Sequence, residues 1–97
     1  MSKSIMHVKT VCWECECTPQ QRYLEEHHVF NGPNRKNSEK YGLKVYLCYV
    51  CHRDNKLGVH GCNTDLRERL QQAGQQAFEN KIGSREEFMK IFGKNYL

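Results

Sequence analysis

Between residues 43 and 48 the chain reads LKVYLC, with Leu43, Val45 and Leu47 alternating against Lys44 and Tyr46. A period of two predicts a strand with one buried face. A second strand is predicted over 24–30, which ends in the β-branched and aromatic pair Val29 and Phe30. Between the two, 31–42 reads NGPNRKNSEKYG. Neither periodicity survives there, and Gly, Pro, Asn and Ser predict a loop. After residue 62 the period changes. Leu66, Leu70, Ala73 and Ala77 share one helical face, with Gln71, Gln72, Gln75 and Gln76 mostly elsewhere. Asn63 or Thr64 can cap this helix and Gly83 can stop it. Ser84-Arg85-Glu86-Glu87 is a capping-box pattern for a second, shorter helix, with Phe88, Ile91 and Phe92 on its apolar face and Gly93 at its end. Both helices read as scaffold. Residues 1–10 read as a loose arm or a first strand, and 11–17, VCWECEC, as a tight cysteine knuckle.

At 97 residues the chain makes one domain with a small core and marginal stability. The expected division is an arm (1–10), a core (11–62) and a helical extension (63–97). Hydrophobic residues at 38% and charged residues at 27% exclude a wholly disordered chain. No run approaches the roughly 18 apolar residues of a membrane span, so no membrane partner is expected. The first residues carry no apolar signal region, so a cytoplasmic protein is expected. Charge is uneven. Residues 12–30 sum to −3, whereas 31–62 carry six Lys and Arg against Glu39 and Asp54, a net +4. A basic middle segment points to a polyanion partner, although a solvated surface gives the same pattern.

Six cysteines in so short a chain with no export signal point to metal before disulfides. Cys12-x-x-Cys15 and Cys48-x-x-Cys51 each place two thiolates on one turn, and two such turns can close a tetrahedral structural Zn²⁺ site. Cys17 can compete as a ligand, and Cys62 reads as a bystander. Four of the five histidines, His27, His28, His52 and His60, fall in the middle segment. Neutral imidazoles are good transition-metal ligands. Strand alternation sends His27 and His28 to opposite faces, so both meet one site only if the backbone turns just after them.

His27-His28-Val29, a loop, a strand and then Leu47-Cys48-x-x-Cys51-His52 resemble the HNH nuclease family, the ββα-metal fold, over residues 12–62. The two C-terminal helices resemble extensions of small phage-type members. The resemblance implies a zinc-stabilised α+β fold with a ββα-metal core. It implies His28 as general base and His27 and His52 as ligands of a catalytic divalent metal (Mg²⁺, Mn²⁺, Ni²⁺ or Zn²⁺). His60 can fill a further ligand position, at a longer offset than in the colicin-type nucleases that share the His28-to-His52 interval. The family's middle Asn has no counterpart at Gly42-Leu43, so one of the loop residues Asn31, Asn34 and Asn37 is expected to substitute, with Asn37 taken as the catalytic candidate.

The implied reaction is hydrolysis of nucleic-acid phosphodiesters, with DNA the expected substrate. Arg53, beside His52, is a candidate for charge at the phosphate. Arg35, Lys36, Lys40 and Lys56 are expected to contact backbone phosphates. A cell of a bacterium or a phage-infected host is the implied setting, with a homodimer or a larger phage or host complex as the assembly. Two other readings compete: a catalytically inactive zinc-containing nucleic-acid-binding or accessory protein, and a protein-interaction factor using its helices.

Overall fold

Leu24–His28 (β1) and Lys44–Cys48 (β2) pair antiparallel, with His27 opposite Val45 and His28 opposite Lys44. The computed structural model describes residues 3–97, so the first two residues of the expected arm lie outside the described residues. The rest of the arm forms no strand and follows the open edge of β2. Ile5 N–H donates to the Gly42 carbonyl at 2.9 Å, Tyr46 N–H to His7 Nδ1 at 3.2 Å, and Trp13 N–H to the Tyr46 carbonyl at 2.9 Å. An edge so covered has few backbone groups left to recruit another strand.

The segment 31–42 is not the expected loop. A 3-10 turn, Gly32–Asn34, leads into a helix, Arg35–Lys40 (α1). RKNSEK carries no apolar residue, so no periodicity announces it. Tertiary contacts hold it instead. The buried Ser38 hydroxyl donates to the Leu43 carbonyl and accepts from Phe30 N–H, while Asn34 and Asn37 donate to the carbonyls of Phe92 and Ile91. Gly42 then reverses the chain at φ +71°, where a Cβ would also strike the Lys3 carbonyl oxygen. The second cysteine knuckle is likewise a helix, Tyr49–Arg53 (α2), with Cys48 at its N-cap.

The two expected C-terminal helices are Thr64–Lys81 (α3) and Arg85–Phe92 (α4). The Asn63 side chain caps the first, accepting from Leu66 N–H at 3.0 Å. Ser84 and Glu87 complete the capping box of the second, and Gly93 ends it at φ +82°. α3 buries Leu66, Leu70, Gly74, Gln75 and Phe78, so its core stripe is rotated from the expected one. Ala73 and Ala77 instead line a shallow groove with Ile5, Met6 and Trp13. Phe30 joins sheet to helices, its ring centroid 4.8 Å from Phe92, 5.1 Å from Tyr96 and 5.5 Å from Phe88. The result is a small α+β domain with a two-stranded sheet and four helices. Among the described residues no helix is long and apolar enough to cross a membrane.

Arg69 on α3 ties the first knuckle down. Its guanidinium holds the two Glu14 oxygens at 2.8 and 2.6 Å. Those hydrogen bonds keep the Glu14 carboxyl below its ordinary value of 4.5. The folded state therefore binds fewer protons there than the unfolded one, and the stabilisation is complete at pH 7 and fades only as pH falls below 4.5. Replacing Arg69 by Met is expected to cost about 1 kcal/mol at pH 7, the upper end for a partly exposed pair, and less at high salt. Urea denaturation at two ionic strengths checks this. An unchanged midpoint at low salt would remove Arg69 from the account of how the knuckle is held.

Candidate functional site

Cys12, Cys15, Cys17 and Cys48 bring their sulfurs to within 4.8 Å of one another, and Cys51 lies against Cys12, Cys15 and Cys48. The first knuckle closes on itself. Cys12 N–H donates to the Cys17 carbonyl at 2.9 Å, and Glu16 N–H to the Cys12 carbonyl at 3.0 Å. Glu16 sits at φ +63°, which turns the chain back and carries Cys17 into the cluster. The second pair comes from the β2–α2 junction. The Cys15 and Cys48 sulfurs stand 3.7 Å apart, close to the roughly 3.8 Å between two thiolates on a tetrahedral zinc with 2.3 Å bonds. The donor set fits zinc. Cys62 is exposed, and all six cysteines are unbridged.

The electrostatics of the cluster are uneven. Burial works against a charged Cys48, but the Cys51 amide, the Arg22 guanidinium and the neighbouring thiols bring it down to about 6. Burial and the nearby sulfurs push Cys17 up to about 12, and burial raises Cys12 and Cys51 as well. The Cys48 thiolate is supported, whereas Cys12, Cys17 and Cys51 are held as thiols. A bound divalent ion reverses that balance.

The imidazoles of His27, His52 and His60 form a second cluster. Their ring centroids are 4.7–5.2 Å apart, and each offers a nitrogen within 4.8 Å of the others. His27 comes from β1, His52 from α2 and His60 from the loop after it. That loop doubles back over α2. His60 N–H donates to the His52 carbonyl at 3.2 Å and Val59 N–H to the Cys51 carbonyl at 2.8 Å, while Arg67 of α3 pins the Val59 carbonyl at 2.8 Å. This fold-back absorbs the long offset to His60. The Glu25 carboxylate accepts from His52 Nδ1 at 2.9 Å, which leaves Nε2 facing His60 Nε2 at 3.0 Å. Two imidazole nitrogens on one tetrahedral zinc stand about 3.3 Å apart, and a carboxylate behind a ligating ring is the usual support. Burial first, then the other two rings, depresses His27 to about 3, so it is a neutral donor at neutral pH. Burial lowers His60 as well.

His28 belongs to a different group. Alternation along β1 places Glu25 and His27 on one side and Glu26 and His28 on the other. His28 Nε2 donates to Glu39 Oε1 at 2.9 Å and lies 3.7 Å from Glu26 Oε1. The buried Lys44 ammonium sits on both carboxylates, 2.9 Å from Glu39 and 3.2 Å from Glu26. Even so, His27 and His28 open on one cleft of about 210 Å³, lined also by Glu26, Asn31, Arg35, His52 and His60. Among the described residues His28 Nδ1 makes no hydrogen bond, and no buried side-chain nitrogen lacks a partner. That nitrogen therefore reaches solvent.

Other expected site residues lie elsewhere. Asn37 does not reach the histidines. It bonds Asn34 and the Ile91 carbonyl, both at 3.4 Å, because α1 turns it towards α4. Arg53 stands behind His52, bound to Glu25 at 3.0 Å and to the Tyr23 hydroxyl at 2.7 Å, and does not line the histidine cleft. Arg35 does line it. Lys36 joins Arg35 on the wall of a larger neighbouring hollow beside His28. Lys40 lies over the Tyr41 ring, and Lys56 is exposed in the fold-back loop. The residues missed were Glu25, Glu26, Glu39 and Lys44. For the first two the signal was present: the run Glu25-Glu26-His27-His28, read at period two, pairs each carboxylate with a histidine. Comparison with family models, with curated proteins and with solved structures finds no match.

Proposed function

We propose that this chain is a metal-dependent endonuclease of HNH type that hydrolyses nucleic-acid phosphodiesters, with β1, β2 and α2 as its ββα unit. One observation carries the reading: three imidazoles from separate segments converge at metal-holding distance on a cleft that His28 also lines. His27, His52 and His60 would hold a divalent cation there. Such an ion, when bound, supplies positive charge for the phosphorane oxygens and the departing 3′ oxygen.

The chain's own groups account for the rest. A carboxylate partner fixes the proton on His28 Nε2, so Nδ1 carries the lone pair. That lone pair takes a proton from the water whose oxygen attacks phosphorus, the bond to the 3′ oxygen breaks, and solvent protonates the leaving alkoxide. Arg35 on the cleft wall and Lys36 beside it offer phosphate contacts of no base specificity. With little surface for reading bases, low sequence selectivity is expected.

Supercoiled plasmid incubated with the purified chain and Mg²⁺, Mn²⁺, Ni²⁺ or Zn²⁺ is expected to be nicked or linearised with at least one ion. The H27A variant is expected to lose both this activity and metal uptake. Binding of plasmid with no cleavage under any of the four ions would instead favour a nucleic-acid-binding zinc module. The one structural observation on that side is the engagement of Asn37 away from the histidines.

A further inference from the structure

The proposed reaction does not use the buried ammonium of Lys44. Glu26, His28 and Glu39 bring ligand atoms within 4.8 Å of one another, a grouping that can hold a metal ion. Lys44 already occupies the carboxylates. Its side chain is 1% exposed, and its Nζ lies 2.9 Å from Glu39 Oε2, 3.2 Å from Glu39 Oε1 and 3.2 Å from Glu26 Oε2. Burial opposes the charge, but the hydrogen bonds to Glu39 and Glu26 outweigh it and hold the ammonium above the ordinary lysine value. A resident cation therefore stands where a second metal would otherwise go.

The geometry points to Glu39 and Lys44 as positioning residues that lock the His28 ring with Nε2 protonated and Nδ1 left as the acceptor. Glu39 uses one carboxylate oxygen on His28 and both on Lys44. Lys44 is anchored through the β2 register directly opposite His28, so the carboxylate is fixed from the strand that faces the ring. Two carboxylates beside one imidazole without that ammonium would repel each other and spread. α1 delivers Glu39 to this point. A helix with no apolar residue, held by Ser38 and Asn37, thereby gains a role. The kinetic consequence rests on the nuclease reading. The ring's orientation does not.

Two readouts on the full chain test the inference. The ring nitrogens of His28, assigned in ¹⁵N spectra by comparison with H28Q, are expected to show one tautomer, protonated at Nε2. In E39Q and in K44M that tautomer is expected to mix with the other, while K44R retains it in part. In plasmid cleavage, E39Q is expected to lower kcat roughly tenfold to a hundredfold with KM little changed, the pattern of a misaligned base rather than lost substrate binding. A wild-type ring protonated at Nδ1, or an unchanged tautomer in both E39Q and K44M, overturns the inference. Should K44M fail to fold, E39Q decides it alone, being nearly isosteric. A ring locked at Nε2 in a chain that cleaves nothing under any metal overturns the nuclease reading and leaves the positioning pair standing.

Discussion

Replacing Cys48 by Ser is expected to unfold the domain at room temperature, and stripping metal with a strong chelator is expected to do the same. A structural zinc contributes about 10–16 kcal/mol of apparent folding free energy in small metal-dependent domains. A chain of this size has a net stability of roughly 5–15 kcal/mol. Loss of a bound zinc would therefore remove most or all of that margin. Cys48 is the most sensitive position because it does three things at once. It ends β2, it stands at the junction where α2 begins, and its sulfur is the one held as a thiolate by the Cys51 amide and Arg22. Cys62→Ser, at an exposed thiol outside the cluster, is expected to melt as the wild type does. Circular dichroism with zinc quantified by a chromogenic chelator reads both arms. If Cys48→Ser melts within a few degrees of the wild type and the purified protein carries no zinc, the thiol cluster holds no structural ion.

The same cluster shows what spacing reveals and what it hides. Two C-x-x-C pairs announce themselves, since three residues set the separation of two thiolates on a turn. Cys17 is legible only as a competing ligand, because its arrival depends on the left-handed backbone at Glu16 and on the closing bond from Cys12 N–H. β2 was legible from its alternation. The capping box at Ser84 was legible because two side chains and two backbone amides satisfy each other locally. α1 was not. Its stability lives in long-range bonds, Ser38 to the Leu43 carbonyl and Asn34 to Phe92, and no local pattern encodes those. Missing α1 also meant missing Glu39, and with it the group that holds His28. Asn37, the expected substitute for the family's middle Asn, lies on the turn of α1 that faces α4. His60 shows the reverse case. Its offset looked long until the loop folded back over α2 and Arg67 clamped it.

His28→Ala is expected to cost at least two orders of magnitude in cleavage while leaving metal uptake by His27, His52 and His60 intact. A general base contributes typically 10²–10⁴-fold, and His28 is the only ring on this cleft whose free nitrogen is not aimed at another imidazole. The variant keeps its fold, because Lys44 retains Glu26 and Glu39 as partners and both carboxylates are partly hydrated. The contrast with H27A is the diagnostic. That variant is expected to lose metal and activity together, because on the proposed reading its ring is one of three ligands, whereas His28→Ala is expected to lose rate alone. Isothermal titration with Mn²⁺ or Ni²⁺ beside a plasmid-cleavage time course separates the two. The drop must fall in kcat rather than KM, because proton removal from water happens after the phosphate is bound. A His28→Ala protein that cuts at the wild-type rate would show that water is activated elsewhere, with an ion held by the three imidazoles the remaining candidate, and would reduce the bonds around His28 to fold support.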